Sequence, residues 1–220
     1  MSTELLARLP DPNTNPQGPG FASQQLMDNS PGMVHPLNNG GTIGVKFSGN
    51  YWTIDIGYPT LTIEEATPLM SFIYSLGGTF SNFTVQLPTL ANPKTGAWGA
   101  TALTASDVFQ TTNMDSNQLG INNWHNRGLG NELNVGDLIC LSNHSKVYMI
   151  VGTSLENSGT RMILKLNCDV VSKEAVAAAA LVTNDIVFKV RLKSSTPPTF
   201  TLTPDGLYGS ITLSVKENTI

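Results

Sequence analysis

YWTIDIGYPTLTIEEATPLMSFIYSLGGTFSNFTVQLP, residues 51–88, decides the fold. It reads as strand, turn, helix, glycine stop and strand. Trp52, Ile54 and Ile56 alternate with Thr53, Asp55 and Gly57, the period of a strand with one buried face. Pro59 ends that strand. Thr62 stands three residues before Glu65, the spacing at which hydroxyl and carboxylate each satisfy the other residue's backbone amide. Ile63, Ala66, Leu69, Met70, Ile73 and Leu76 then recur every three or four residues, so the spacing predicts a helix over 63–76 with one apolar stripe. Pro68 removes a donor inside it and predicts a kink or a tightened first turn. Gly77 and Gly78 supply the left-handed backbone that closes a helix. Phe83, Val85 and Leu87 mark the second strand, which Pro88 stops.

Working outward, the composition suits many short strands. Of 220 residues 40% are hydrophobic and only 13% charged, about half the usual charged share. Thr, Asn, Ser and Gly take the place of ions. A net charge of −4 offers no basic footprint for nucleic acid. No apolar run approaches the ~20 residues that span a bilayer. The first twenty residues lack the charged start and apolar core of a secretory signal, so synthesis in a reducing cytosol is expected. Cys140 and Cys168 sit in apolar alternating runs and read as buried free thiols.

Before residue 41 the chain reads as an extended arm. Pro10, Pro12, Pro16 and Pro19 punctuate its start, with room for one helical turn over 4–9. The arm also holds Leu5, Leu6, Leu9 and Phe21, which suit either a disordered tail or an arm that orders on a neighbouring subunit. Residues 42–48 alternate and could form a hairpin with 52–58 across Gly49-Asn50. Loops are expected over 90–100 and 113–130. Strands are expected at 137–141, 146–152, 160–166, 185–193, 199–202 and 209–215, with turns at Asn143-His144 and Ser158-Gly159. The Ala-rich run 174–182 reads as a loop with a helical turn.

Catalytic chemistry is thin. His35, His125 and His144 lie in turn-rich contexts without a metal-ligating spacing. No nucleophile elbow, phosphate loop or paired-cysteine motif is present. Glu64 and Glu65 suit the positive end of a helix dipole better than paired acid–base work. Asp107, Asp115 and Asp137 fall in or near loop-rich stretches but lack a calcium-loop pattern. Trp98 and Trp124, on polar loops, could stack on sugars or anchor a subunit contact, the latter being the preferred reading. No enzyme, no cofactor and no metal are expected.

Three stretches resemble virion structural proteins of tailed bacteriophages, those of cyanobacterial and marine hosts especially. Trp52, Tyr58, Pro59, Leu61, Thr62, Glu65, Pro68, Phe72, Gly78, Phe83 and Pro88 match the family's strand–helix–strand segment. LNVGDLICLSNHSKVYMIVGT, residues 133–153, is similar to its hairpin. Gly206, Leu207, Tyr208, Val215 and Glu217 match its C-terminal ending. The resemblance implies a component of the tail or baseplate, of the distal-tail or tail-tip kind. The expected partners are copies of itself in a symmetric ring and other tail or baseplate proteins, with no nucleic acid and no membrane, and the expected location is the virion tail. A capsid or head-decoration protein and a carbohydrate-binding β module for host attachment are the alternatives.

The expected fold is all-β with one amphipathic helix. It combines a β-sandwich-like main domain, residues 41–90 plus 186–220, with a small inserted β-barrel-like module over 91–185. Residues 1–40 form the arm, and the interface candidates are Leu5, Leu6, Leu9, Phe21, Trp98 and Trp124.

Overall fold

The computed structural model describes residues 7–14, 17–47, 49–94, 108–109, 114–122, 133–156, 161–171 and 179–219. Among them the protein is all-β with one helix. The chain divides into two compact units, one of Met1–Val85 and Lys189–Asn218, the other of Gln86–Phe188 and Thr219–Ile220.

The first unit is built on five strands in the order β1-β4-β13-β12-β5. These are β1 (Ser23–Asn29), β4 (Tyr51–Tyr58), β5 (Phe83–Gln86), β12 (Val187–Leu192) and β13 (Ile211–Glu217). β4 is central, and the alternation that predicts it has the expected result: Trp52, Ile54, Ile56 and Tyr58 are all buried. β13 lies antiparallel to it with Leu213 opposite Ile56 and Val215 opposite Ile54, so the apolar residues of both strands share one face. The helix α1 (Ile63–Ser75) carries both halves of the capping box at Thr62 and Glu65. Ala66, Leu69 and Ile73 are its buried residues, and Phe72 meets Phe83 of β5 edge-on at 5.4 Å. The helix runs through Pro68, whose missing N–H leaves the Glu64 carbonyl without its usual donor. Beyond Leu76, Gly77 (φ 62°) and Gly78 (φ 85°) take the left-handed backbone.

Two expectations are corrected here. Residues 42–46 form β3 (Thr42–Lys46) but pair with β2 (Gly32–Pro36), not with β4. The partner of β4 on that side is β1, in register from Ser23 opposite Gly57 to Asn29 opposite Tyr51. Much of the expected arm is thereby taken into the chain's own sheet. SQQLMDN shows no clean apolar alternation because an edge strand is held by backbone bonds more than by side-chain burial. Of the helical turn expected over 4–9, residues 4–6 lie outside the described residues, and residues 7–9 are not helical. They run parallel to β5, with the Leu9 amide donating to the Thr84 carbonyl and the Thr84 amide to that of Ala7, both at 2.9 Å.

The second unit holds a six-stranded antiparallel sheet, nearly closed and barrel-like, in the order β11-β8-β9-β10-β7-β6. Its strands are β6 (Val108–Phe109), β7 (Gln118–Ile121), β8 (Leu138–Leu141), β9 (Val147–Glu156), β10 (Arg161–Leu166) and β11 (Leu181–Val182). Leu119, Ile121, Ile139, Tyr148, Ile150 and Leu164 fill its core. β7 arises inside the expected loop 113–130, and β11 at the end of the expected Ala-rich loop. Both are short apolar runs whose Asn- or Ala-rich flanks mask the strand signal. The expected strand 199–202 amounts to an isolated bridge between Leu202 and Tyr208.

Candidate assembly interface

The polar residues that the motifs single out are spent inside the fold. Glu217, 2% exposed, accepts a hydrogen bond from the Trp52 amide at 3.1 Å. The ladder between β13 and β4 runs from Ile211 opposite Tyr58 to Lys216 opposite Thr53, so Trp52 lies one residue past its end. The carboxylate thus takes up an amide that the ladder leaves over. Asp137 is equally buried. Its Oδ1 accepts from the Lys94 amide (3.1 Å) and its Oδ2 from the Asn134 amide (2.8 Å), tying two loops together. Gly136 before it has φ 94°, and a Cβ there would stand 2.6 Å from the Lys94 Nζ. Asp137 therefore serves as a backbone clamp and has no lone oxygen turned outward for calcium.

Tyr58 is buried, and its hydroxyl has no hydrogen-bond partner among the described residues. Burial, reinforced by the neighbouring Asp11 carboxylate, holds the phenol protonated well above its usual range. Such an oxygen contributes cost without a compensating bond. Tyr58→Phe is accordingly expected to leave the fold intact and to raise stability by about 1 kcal/mol, read as a higher urea midpoint. A lower midpoint would mean that the hydroxyl is satisfied.

His144 lies in the turn between β8 and β9. The Val171 amide donates to the Tyr148 hydroxyl at 3.2 Å, so Tyr148 can turn its own proton to His144 Nε2 at 2.8 Å. His144 Nδ1–H then donates to the Asn143 Oδ1 at 2.7 Å. That arrangement requires a neutral ring. Burial, and then the charge of Lys146, lower the pKa from its ordinary 6.5. The unfolded chain therefore binds the proton first as pH falls. Stability tied to the neutral ring is full above about pH 6.5 and is lost as pH drops toward the folded-state value. Thermal melts between pH 7 and 5 should show this decline, and His144→Gln should flatten it. An equal slope in both proteins would assign the decline to carboxylates instead.

Both thiols are free. Cys168 is buried, and burial pushes the Cys140 thiol up to about 11. No group of three or more His, Cys, Asp or Glu side chains that could hold a metal occurs among the described residues. No helix there is long and apolar enough to cross a membrane.

Of the expected interface residues, Leu9 is 1% exposed and is a core residue of its own chain. Phe21 is half-buried, edge-on to Tyr58 at 5.6 Å. Leu5, Leu6, Trp98 and Trp124 lie outside the described residues, as does His125. The outward-facing apolar surface lies instead on positions that the motifs do not mark. Met33, Val34, Ile43 and Val45 of the β2–β3 hairpin are about half exposed or more, and so are Ile63 and Leu202. Residues 42–48 alternate as a half-buried strand does, and nothing in that pattern marks their apolar side as the exposed one.

The buried carboxylates thus serve the backbone while the apolar side chains named above stay exposed, in an all-β protein whose motif acids are structural. Comparison with known proteins gives the particular kind. Residues 9–90 match the family model for the N-terminal part of the A domain of distal tail protein pb9, and residues 95–186 match that for its B domain. The chain is 34% identical over 213 residues to distal tail protein pb9 of Escherichia phage T5, covering 96% of this chain and 99% of that protein. It belongs to the distal tail protein pb9 family.

Proposed function

We propose that this protein is a structural component of a phage tail, part of the distal tail or tail-tip ring of the baseplate, and that it acts by subunit contacts rather than by catalysis. The observation that carries this reading is the family relationship along nearly the whole of both chains. Copies of the chain pack as a symmetric ring, where each contact recurs around the axis, and the ring meets other tail proteins. The division into a main unit and a second, barrel-like unit suits a ring-forming part that carries an inserted module. Phe21, which is partly exposed, and the segments around Trp98 and Trp124 are candidates for those contacts.

Few charges are available for salt to screen. Size-exclusion chromatography with light scattering is therefore expected to give a multimer whose mass rises with concentration and changes little between low and high ionic strength. A strict monomer under all conditions, together with hydrolysis of a cell-wall polymer, would overturn the reading.

A further inference from the structure

β12 and β13 gather charge on one face. Val190, Leu192, Leu213 and Val215 are buried, so the alternate residues of both strands point the other way. On β12 and just beyond it these are Lys189, Arg191 and Lys193. On β13, Lys216 stands opposite Arg191, and the Ser214 carbonyl accepts from the Lys193 amide at 3.0 Å. Four of the chain's 12 Lys and Arg thus share one small face, in a protein of net charge −4.

Arg191 and Lys193 are exposed, and neither forms an ion pair among the described residues. Lys216 Nζ sits over the Tyr51 ring, 3.8 Å from its centroid, which holds that ammonium in place. The neighbouring strand β4 brings one carboxylate to this face, Asp55, opposite Ser214. No ion pair joins it to the cations among the described residues.

Lys189, Arg191 and Lys193 follow one another about 7 Å apart along the strand. An extended segment with Asp or Glu at alternate positions presents its carboxylates at that same interval on one side. Lys216 stands about 5 Å across from Arg191, so the cations are no broader than one such segment. A nucleic acid suits the face less. Its charge runs on past four cations, over a chain whose remaining surface is on balance acidic.

We propose that this face binds a different tail protein through an extended acidic segment, one with Asp or Glu at alternate residues. This rests on the tail reading above and adds to it the chemistry of one partner.

Fluorescence anisotropy on the full chain tests it, with a labelled peptide of alternating Glu and Thr as the probe. Wild type is expected to bind this peptide, more weakly as salt rises, and not to bind the same peptide with Gln for Glu. Arg191→Gln/Lys193→Gln should leave the melting curve unchanged and weaken binding about tenfold, since two exposed ion pairs are lost. Lys165→Glu makes the same change in net charge on an exposed residue of the second unit, and should weaken binding less than about twofold. Equal weakening in Lys165→Glu, or no binding by wild type, would overturn the proposal. A short DNA duplex that binds at least as tightly as the peptide, and is lost in the double variant, would overturn the acidic segment in favour of nucleic acid. Light scattering separates this proposal from the tail reading. The double variant is expected to form the same multimer as wild type. A double variant that falls to monomers would make the face a contact between copies and overturn the proposal alone. Wild type that stays monomeric throughout would overturn the tail reading even where the peptide binds.

Discussion

Ile73→Asp is expected to lower the stability of the first unit by about 3–5 kcal/mol, as a carboxylate without a partner enters the core. Ile73 is 1% exposed on α1, on the same stripe as Ala66 and Leu69. The control is Ser75→Asp, two residues further on. Ser75 is exposed, with its hydroxyl donating to the Phe72 carbonyl at 2.7 Å. Both variants place a negative charge near the C-terminal end of the helix, where the dipole disfavours it by a common ~0.3–1 kcal/mol. The difference between them therefore isolates burial. Urea unfolding should separate the two midpoints widely. Equal shifts would mean that the helix presents a different face to the sheet.

The second large effect is expected at Asp137. Asp137→Ala removes the acceptor for two backbone amides at once and leaves both donors in a mostly buried setting. The cost is expected to be about 2–4 kcal/mol. Asp137→Asn keeps one carbonyl oxygen and should cost about half as much. Because the clamp joins residues 94 and 134, the loss should also appear locally, as faster hydrogen exchange at the Lys94 and Asn134 amides. If exchange there is unchanged in Asp137→Ala, the carboxylate is not the group that holds the loops. Glu217 follows the same logic with one amide, and its effect should be smaller.

These two sites differ in how far the sequence exposes them. The helix phase is written in the spacing of its apolar residues, so that spacing alone marks Ile73 as buried. Nothing comparable marks the Asp137 clamp. Gly-Asp signals a turn, and a calcium ligand or a solvent-facing acid is compatible with the same two letters. Which amides the carboxylate meets depends on a loop 43 residues earlier in the chain. Leu9 makes a parallel point. Among prolines it reads as arm, yet a parallel bridge to β5 buries it, because a sheet edge accepts backbone from any segment that reaches it.

By itself the sequence determined the elements whose cause is local. The capping box of Thr62 and Glu65, the stripe through Ile73, the glycine stop and the alternation of β4 each depend on neighbours within a few residues, and each stands where those neighbours put it. The tertiary structure alone decided who pairs with whom. Alternation shows that β4 has one buried face but not which strands flank it, and so β1 took the place expected for β3. It also decided which apolar residues remain outside. Met33 reads as arm and Ile43 and Val45 as the apolar side of an alternating strand, and all three are about half exposed on a two-stranded ribbon joined to no third strand among the described residues.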